Sequence, residues 1–460
     1  MSNSSFTTLA LPPARIKNLA SLGYKNMTPI QSQSLPHILK GKDILAQAKT
    51  GSGKTVAFGI GLLEKINPRF FGTQALVLCP TRELADQVGK EIRKLARSTA
   101  NIKLVVLCGG KPFGPQVGSL EHGAHIIVGT PGRVQDHLKK RTLTLKQLKT
   151  LVLDEADRML DMGFADVMSD IIKQTPSTRQ TLLFSATYPD SIQQMCRDIQ
   201  RNSVTITVES DHQQSVIEQL FYQVKKHERN TSLLALFEHY QPKTAIVFCH
   251  TKAQCSDTAE FLRNHNIESL AIHGDLDQRE RDQVLVRFAN NSCPVLVATD
   301  VAARGLDIKS IGMVVNYELP RDPEIYVHRI GRTGRAGETG TAVSLFTDNE
   351  QIRINNIEQY QNKPCLIDSP ESLDRDSHYK LYPPMVTLQL EGGRKDKMRP
   401  GDLLGALTGD AGLSGQSIGK IDIFDRSSYV AIERNVIHQA LEFFDEGKVK
   451  GRLVRARIVE

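Results

Sequence analysis

From about residue 73 to 187 the chain repeats one pattern. A short unbroken apolar run ends in glycine, threonine, proline, serine or acidic residues, and a helix-forming stretch follows: "ALVLCPTREL", "HIIVGTPGR", "TLVLDEAD", "TLLFSAT". Apolar runs of this kind, without alternation, predict strands buried on both faces in a parallel sheet covered by helices. The pattern returns from about 243 to 346 in "TAIVFCHT", "SLAIHGD", "VLVATDVAARG" and "MVVNYELP". The chain therefore reads as a structural duplication, with α/β domains over 1–209 and 215–366 joined near "VESDHQQS". Ligands of open parallel sheets bind outside the carboxyl ends of the strands, where every one of these polar clusters falls.

A polar, proline-bearing stretch, "DSPESLDRDSHYKLYPP", breaks the pattern. Beyond it, over 383–460, the order reads strand ("MVTLQLEG"), helix ("GDLLGALTG"), strand ("IGKIDIFD"), strand ("SSYVAIE"), helix ("NVIHQALEFFD") and strand ("RLVRARIV"). In the second helix Val436, Ile437, Ala440, Leu441 and Phe444 share one face. This is a small α+β module on the split βαβ plan of RRM-like domains.

Composition narrows the picture only a little. The 460 residues are 40% apolar and 24% charged, as in ordinary globular proteins, and the net charge of +7 permits a polyanionic partner. Seven scattered cysteines without a C-x-x-C pair read as reduced core residues, which predicts a cytosolic compartment and no metal cluster. With no signal-like N-terminus and no apolar stretch of membrane-spanning length, a cytoplasmic protein without a membrane partner is expected.

The chemistry lies in the turns. "AKTGSGKT" (Ala48, Lys49, Thr50, Gly51, Ser52, Gly53, Lys54, Thr55) leads from a strand into a helix, where backbone N–H groups and the helix start cradle phosphates. Lys54 is placed for the β and γ phosphates of ATP and Thr55 for Mg²⁺, although Ala48 replaces the usual first glycine. "LVLDEAD" runs a buried strand into acids, giving Asp154 for the metal and Glu155 for the attacking water. "HRIGRTGR" sits in the second domain, where Arg332 and Arg335 supply charge opposite the γ-phosphate once the two domains close.

These blocks together resemble the DEAD-box RNA helicases over about residues 6–346. The resemblance implies two RecA-like domains and adenine reading by Gln31 with Phe6 stacked on the base. It also implies coupling of hydrolysis to RNA binding through Ser185, Ala186 and Thr187, ribose contact by Asp307, and a link from His328 to the first domain. It assigns RNA contacts to Pro80, Thr81, Arg82, Gly109, Gly110, Thr130, Gly132 and Arg133 in the first domain. In the second domain it assigns His250, Thr251, Gln278, Arg281, Thr299 and Arg304. Hydroxyls, glycine amides and single arginines suit the sugar-phosphate backbone, so the core is expected to bind RNA with little sequence preference.

The tail resembles the RNA-binding domain of the bacterial DEAD-box protein A subfamily, which implies anchoring to a hairpin of large-subunit ribosomal RNA during ribosome assembly. RRM modules stack bases on aromatics of their central strands, but here only Tyr429 is aromatic. Basic residues are better placed: Arg394, Lys395, Lys397 and Arg399 in one loop, and Lys448, Lys450, Arg452, Arg455 and Arg457 near the end. A monomeric, RNA-stimulated ATPase that unwinds short duplexes is expected. The rivals are a DNA translocase, a non-unwinding RNA clamp or assembly scaffold, and a helicase with another structured RNA target.

Overall fold

The computed structural model describes residues 5–48, 51–185, 187, 190–208, 217–303, 311–334, 339–376 and 378–459. They form two compact units, one before and one after 209–216.

The first unit is a seven-stranded parallel sheet. Its strands are β1 (Ile44–Gln47), β2 (Ala75–Leu78), β3 (Leu104–Leu107), β4 (Ile126–Gly129), β5 (Thr150–Asp154), β6 (Gln180–Ser185) and β7 (Val204–Thr207), in the order β3-β4-β2-β5-β6-β1-β7. Successive side chains of a strand point to opposite faces. Ala75 and Val77 accordingly enter one core, and Leu76 and Leu78 the other. Both cores are closed by helices, which is why the run carries no polar position. Each fully buried Leu or Val contributes roughly 1.5–3 kcal/mol.

The second unit begins with another such sheet: β8 (Ile217–Gln223), β9 (Ala245–Cys249), β10 (Ser269–Ile272), β11 (Val295–Thr299), β12 (Met313–Asn316), β13 (Gly340–Phe346) and β14 (Leu366–Asp368). Its order is β10-β11-β9-β12-β13-β8-β14. Strand for strand this is the topology of the first sheet, so the duplication expected from the apolar runs is present in the fold.

The same unit carries a four-stranded antiparallel sheet, ordered β16-β17-β15-β20, from β15 (Met385–Glu391), β16 (Ile418–Ile423), β17 (Ser427–Glu433) and β20 (Ala456–Ile458). The helix Ile437–Glu446 lays Ile437, Ala440 and Phe444 on its inner face. Two local expectations are corrected. The "RLVRARIV" run is not one strand: Lys450 and Gly451, both at positive φ, turn β19 (Arg452–Leu453) back on β18 (Lys448–Val449) before β20 starts. The helix in "GDLLGALTG" is regular only over Pro400–Gly405 and then widens into a π-type turn.

The segment between the second and third sheets, polar in sequence, is stitched to the second α/β domain. Leu373 enters that domain's core, with Tyr379 and Leu381 packed against it. Arg375 pairs with Glu238 at 2.7 Å, and the Tyr379 hydroxyl donates to the Pro242 carbonyl at 3.0 Å. Leu381 bonds Asn266 and Glu268 through its backbone, both at 3.0 Å.

Candidate nucleotide and RNA sites

The motifs follow the carboxyl ends of their strands. After β1, Gly51 and Gly53 turn at positive φ, a conformation that costs other residues. At Gly53 a Cβ would also lie 2.4 Å from Gln31 Nε2. Gln31 is buried in the first turn of the helix Pro29–Leu39, where its Oε1 accepts from Thr28 N–H (2.9 Å) and its Nε2 donates to the Gly53 carbonyl (3.1 Å). Gln31, expected at the adenine, is thus bonded to the glycine-rich loop itself. Phe6 is buried at the edge of the first core. Lys54 is buried, and its ammonium donates to the carbonyl of Ala48 at 2.9 Å. That bond uses only main chain at position 48, so a side-chain methyl there does not disturb it.

β5 delivers Asp154 and Glu155 to the same edge, both under 5% exposed. Burial, opposed by Lys54 and reinforced by Glu155, pushes the Asp154 carboxyl up to about 6. Its Oδ1 has no hydrogen-bond partner among the described residues. An unpartnered buried carboxylate oxygen is what a divalent cation completes, and with the Thr55 hydroxyl it fits Mg²⁺. Glu155 adopts a left-handed backbone, φ +51, an outlier of the kind that gathers at functional turns.

Asp157 was not singled out from the sequence, yet it joins two motifs. Thr187 donates to its Oδ2 through both N–H and hydroxyl at 3.0 Å. Burial works against ionisation, but bonds from Thr187 and the Arg158 N–H outweigh it and hold the carboxyl below its ordinary value. The serine–threonine element is thereby tied to the acid strand. Its only sequence signal was an additional acid in "DEAD".

On the remaining edge of the first sheet the expected RNA contacts gather. Thr81 caps the helix Arg82–Leu95 by accepting from Leu84 N–H, so its side chain has a structural task. The Arg82 guanidinium lies against Gly109, and Arg133 Nη1 donates to the Lys111 carbonyl at 3.0 Å. Beneath them Gln116 Nε2 donates to the Cys108 carbonyl, and its Oε1 faces His137 Nε2 at 3.3 Å. His137 stacks on Phe113 with ring centres 4.2 Å apart, and burial drives its pKa down to about 4. A neutral imidazole thus joins the Gly109–Gly110 turn to the helix Pro131–Lys139, which follows Thr130 and carries Gly132 and Arg133.

In the second domain Thr251 caps the helix Lys252–Asn264. His250, held below its usual pKa by burial despite Glu318, contacts Glu318 through both its backbone N–H and Nδ1. Gln278 and Arg281 open the helix Gln278–Ala289, and Arg281 donates to the Ala302 carbonyl at 2.6 Å, beside Thr299 at the end of β11. Arg332 is buried and His328 half-buried at the end of the helix Pro323–Ile330. The arginine that sequence reading passed over is Arg329. It is 2% exposed and donates to Asp300 Oδ1 and Oδ2 (2.7 and 2.8 Å), Asn316 Oδ1 (2.9 Å) and the Glu318 carbonyl (2.7 Å). It locks the helix Pro323–Ile330 to the carboxyl ends of β11 and β12. Lys49, Thr50, Ala186, Arg304, Asp307 and Arg335 lie outside the described residues.

In the third domain the two basic stretches become one edge. Lys450 Nζ bonds the Lys397 carbonyl (3.3 Å) and Asp402 (2.7 Å), bringing exposed Lys448 and Arg452 beside Lys395, Lys397 and Arg399. Arg394 pairs loosely with Asp425, and the Arg455 carbonyl accepts from Glu391 at the end of β15. Tyr429 is 3% exposed and meets Phe424 edge-on, so in this arrangement its ring offers no face to a base.

Among the described residues no helix is long and apolar enough to cross a membrane. Residues 28–195 match the DEAD/DEAH box helicase family, 225–337 the helicase conserved C-terminal domain and 387–458 the DbpA RNA binding domain. The ATP-dependent RNA helicase DbpA of Escherichia coli is 52% identical over 99% of this chain and 100% of its own length. CshA of Bacillus subtilis is 43% identical over 77% of this chain and 72% of its own. Among solved structures, S. cerevisiae Dbp5 bound to RNA and ADP BeF3 is 31% identical, with a TM-score of 0.72 over 80% of this chain and 96% of its own. With all three family matches in order along it and 52% identity over nearly its whole length to a DbpA, the chain belongs to the DbpA subfamily of DEAD-box ATP-dependent RNA helicases.

Proposed function

We propose that the enzyme opens short RNA duplexes close to a hairpin of large-subunit ribosomal RNA, which its C-terminal domain holds during ribosome assembly. The observation that carries the targeting is the joined basic edge, where Lys450 ties the 394–399 loop to the β18–β19 hairpin within the part that matches the DbpA RNA binding domain. Such an edge suits the closely spaced phosphates of a folded RNA, whereas a single strand is served by the exposed turns of the α/β domains.

In the first domain Lys54 steers the β and γ phosphates of ATP, Gln31 and Phe6 take the adenine, and Glu155 orients the attacking water. Thr55 and Asp154 hold Mg²⁺, which when bound neutralises charge on the phosphates. Arg332 and Arg335 stabilise the charge that develops as the γ-phosphate leaves, and Asp307 contacts the ribose. ATP and RNA draw the domains together and bend one strand of the duplex. His328 joins the arginine motif to the first domain, and the Asp157–Thr187 contact transmits RNA binding to the acid strand. The enzyme works as a cytoplasmic monomer on pre-ribosomal RNA.

The test compares the full chain with its Lys448→Gln/Lys450→Gln/Arg452→Gln variant on 23S-type ribosomal RNA and on an unrelated RNA of equal length. The RNA concentration giving half-maximal ATP hydrolysis rises tenfold or more for ribosomal RNA only, with the maximal rate unchanged. Equal behaviour of both proteins on both RNAs removes the targeting and leaves a general RNA helicase.

A further inference from the structure

Along β15, Leu388 and Leu390 point into the core of the third domain. Thr387 and Gln389 therefore lie on the opposite face, beside Ala431 and Tyr429 of β17, with Arg457 of β20 next to Gln389. This is the face on which RRM modules stack bases. Here its centre is closed, with Ala431 0%, Thr387 1% and Tyr429 3% exposed, while Gln389 is half-buried and Arg457 exposed at the β20 side.

The second α/β domain reaches onto it. Asn290 Nδ2 donates to Thr387 Oγ1 at 2.9 Å, the Ser292 and Thr387 hydroxyls are in hydrogen-bond contact, and Gln283 Nε2 donates to Gln389 Oε1 at 3.2 Å. Asn290 and Ser292 are themselves buried, and Ser292 donates to Asn290 Oδ1 through its backbone N–H and its hydroxyl. Buried polar groups are costly unless paired, so an interface that pairs this set on both sides is specific to its partner.

We propose that the outward sheet face of the third domain is an intramolecular docking surface for the helix Gln278–Ala289 and the turn that follows it, and that it does not serve as a base-stacking platform. RNA is then left to the basic edge. The helix that docks the domain also carries Gln278 and Arg281, so one rigid element relates the anchor to the RNA contacts of the second domain. Docking rests on the geometry alone; the use of the basic edge rests on the function proposed above.

In the full chain, Ser292→Cys/Thr387→Cys places two sulfurs where the hydroxyls touch. Oxidised glutathione is expected to close this disulfide nearly completely, with the wild-type cysteines as control. Affinity for 23S-type ribosomal RNA then stays within twofold of the reduced protein. Absence of the disulfide overturns docking. A disulfide that forms while affinity falls tenfold or more overturns the closed face. If wild type shows no preference for ribosomal over unrelated RNA, the targeting reading fails, while disulfide yield still decides docking. Thr387→Arg in the full chain guards against misfolding of the pair: it speeds amide hydrogen exchange in the turn at 290–292 tenfold or more if docking holds, and unchanged exchange overturns it.

Discussion

The two α/β domains share one strand order and treat the polar groups at their carboxyl edges in opposite ways. In the first, Asp154 is buried with an unpartnered oxygen and a carboxyl pushed up to about 6. In the second, Arg329 is equally buried but has an acceptor in every direction, two of them on Asp300. Among the described residues Asp154 keeps an acceptor open for a ligand to fill, whereas Arg329 is saturated and serves as a frame. A duplicated scaffold thus holds an open acceptor at one edge and a saturated arginine at the other.

Asp154→Asn tests this contrast most severely. Removing the charge but not the shape should cut RNA-stimulated ATP hydrolysis by about 10³-fold while the melting temperature holds or rises, because a carboxylate whose burial outweighs its attraction to Lys54 is lost. A large fall in melting temperature would place Asp154 in the frame instead. Arg329→Ala should do the reverse to stability, costing about 3–5 kcal/mol by denaturant titration because Asp300 loses its buried partner. Loss of activity without loss of stability would show that Arg329 belongs with the ligand-facing groups.

His137 gives a pH-dependent version of the test. Its folded pKa, about 4, lies below its ordinary 6.5, so the unfolded chain takes up the proton first. The stability it preserves is intact above pH 6.5 and is lost as pH falls towards 4. Between pH 7 and 4.5 wild type should lose roughly 2 kcal/mol more than His137→Gln. Equal losses would mean that the ring is not held neutral. The smallest effect is expected for Gly53→Ala, about 1–2 kcal/mol, since the new methyl meets Gln31 at a backbone angle that disfavours it. Its signature is a weaker apparent affinity for ATP with RNA affinity unchanged.

How much of this was legible depended on whether the signal was local. Strands buried on both faces announce themselves, so β2, β4, β5, β9 and β11 could be read directly from "ALVL", "IIVG", "TLVLD", "AIVFC" and "VLVAT". The phosphate loop and the acid strand were equally plain. Direction was not: three arginines in "HRIGRTGR" look alike, and only the position of Asp300, nearly thirty residues earlier, turns Arg329 inward. The capping task of Thr81 and Thr251, both expected at RNA, was hidden because cap and contact ask for the same residue type. The meeting of the two basic loops and the closed sheet face depend on pairings between residues far apart in the chain, which composition and periodicity do not encode.

The stitched linker has a further consequence. A free tether of that length would let the third domain wander through a sphere of roughly 20 Å radius. With Leu373 in the core and Leu381 bonded to Asn266 and Glu268, that volume collapses. The third domain is carried like the fixed jaw of a caliper, at a set distance from the second α/β domain.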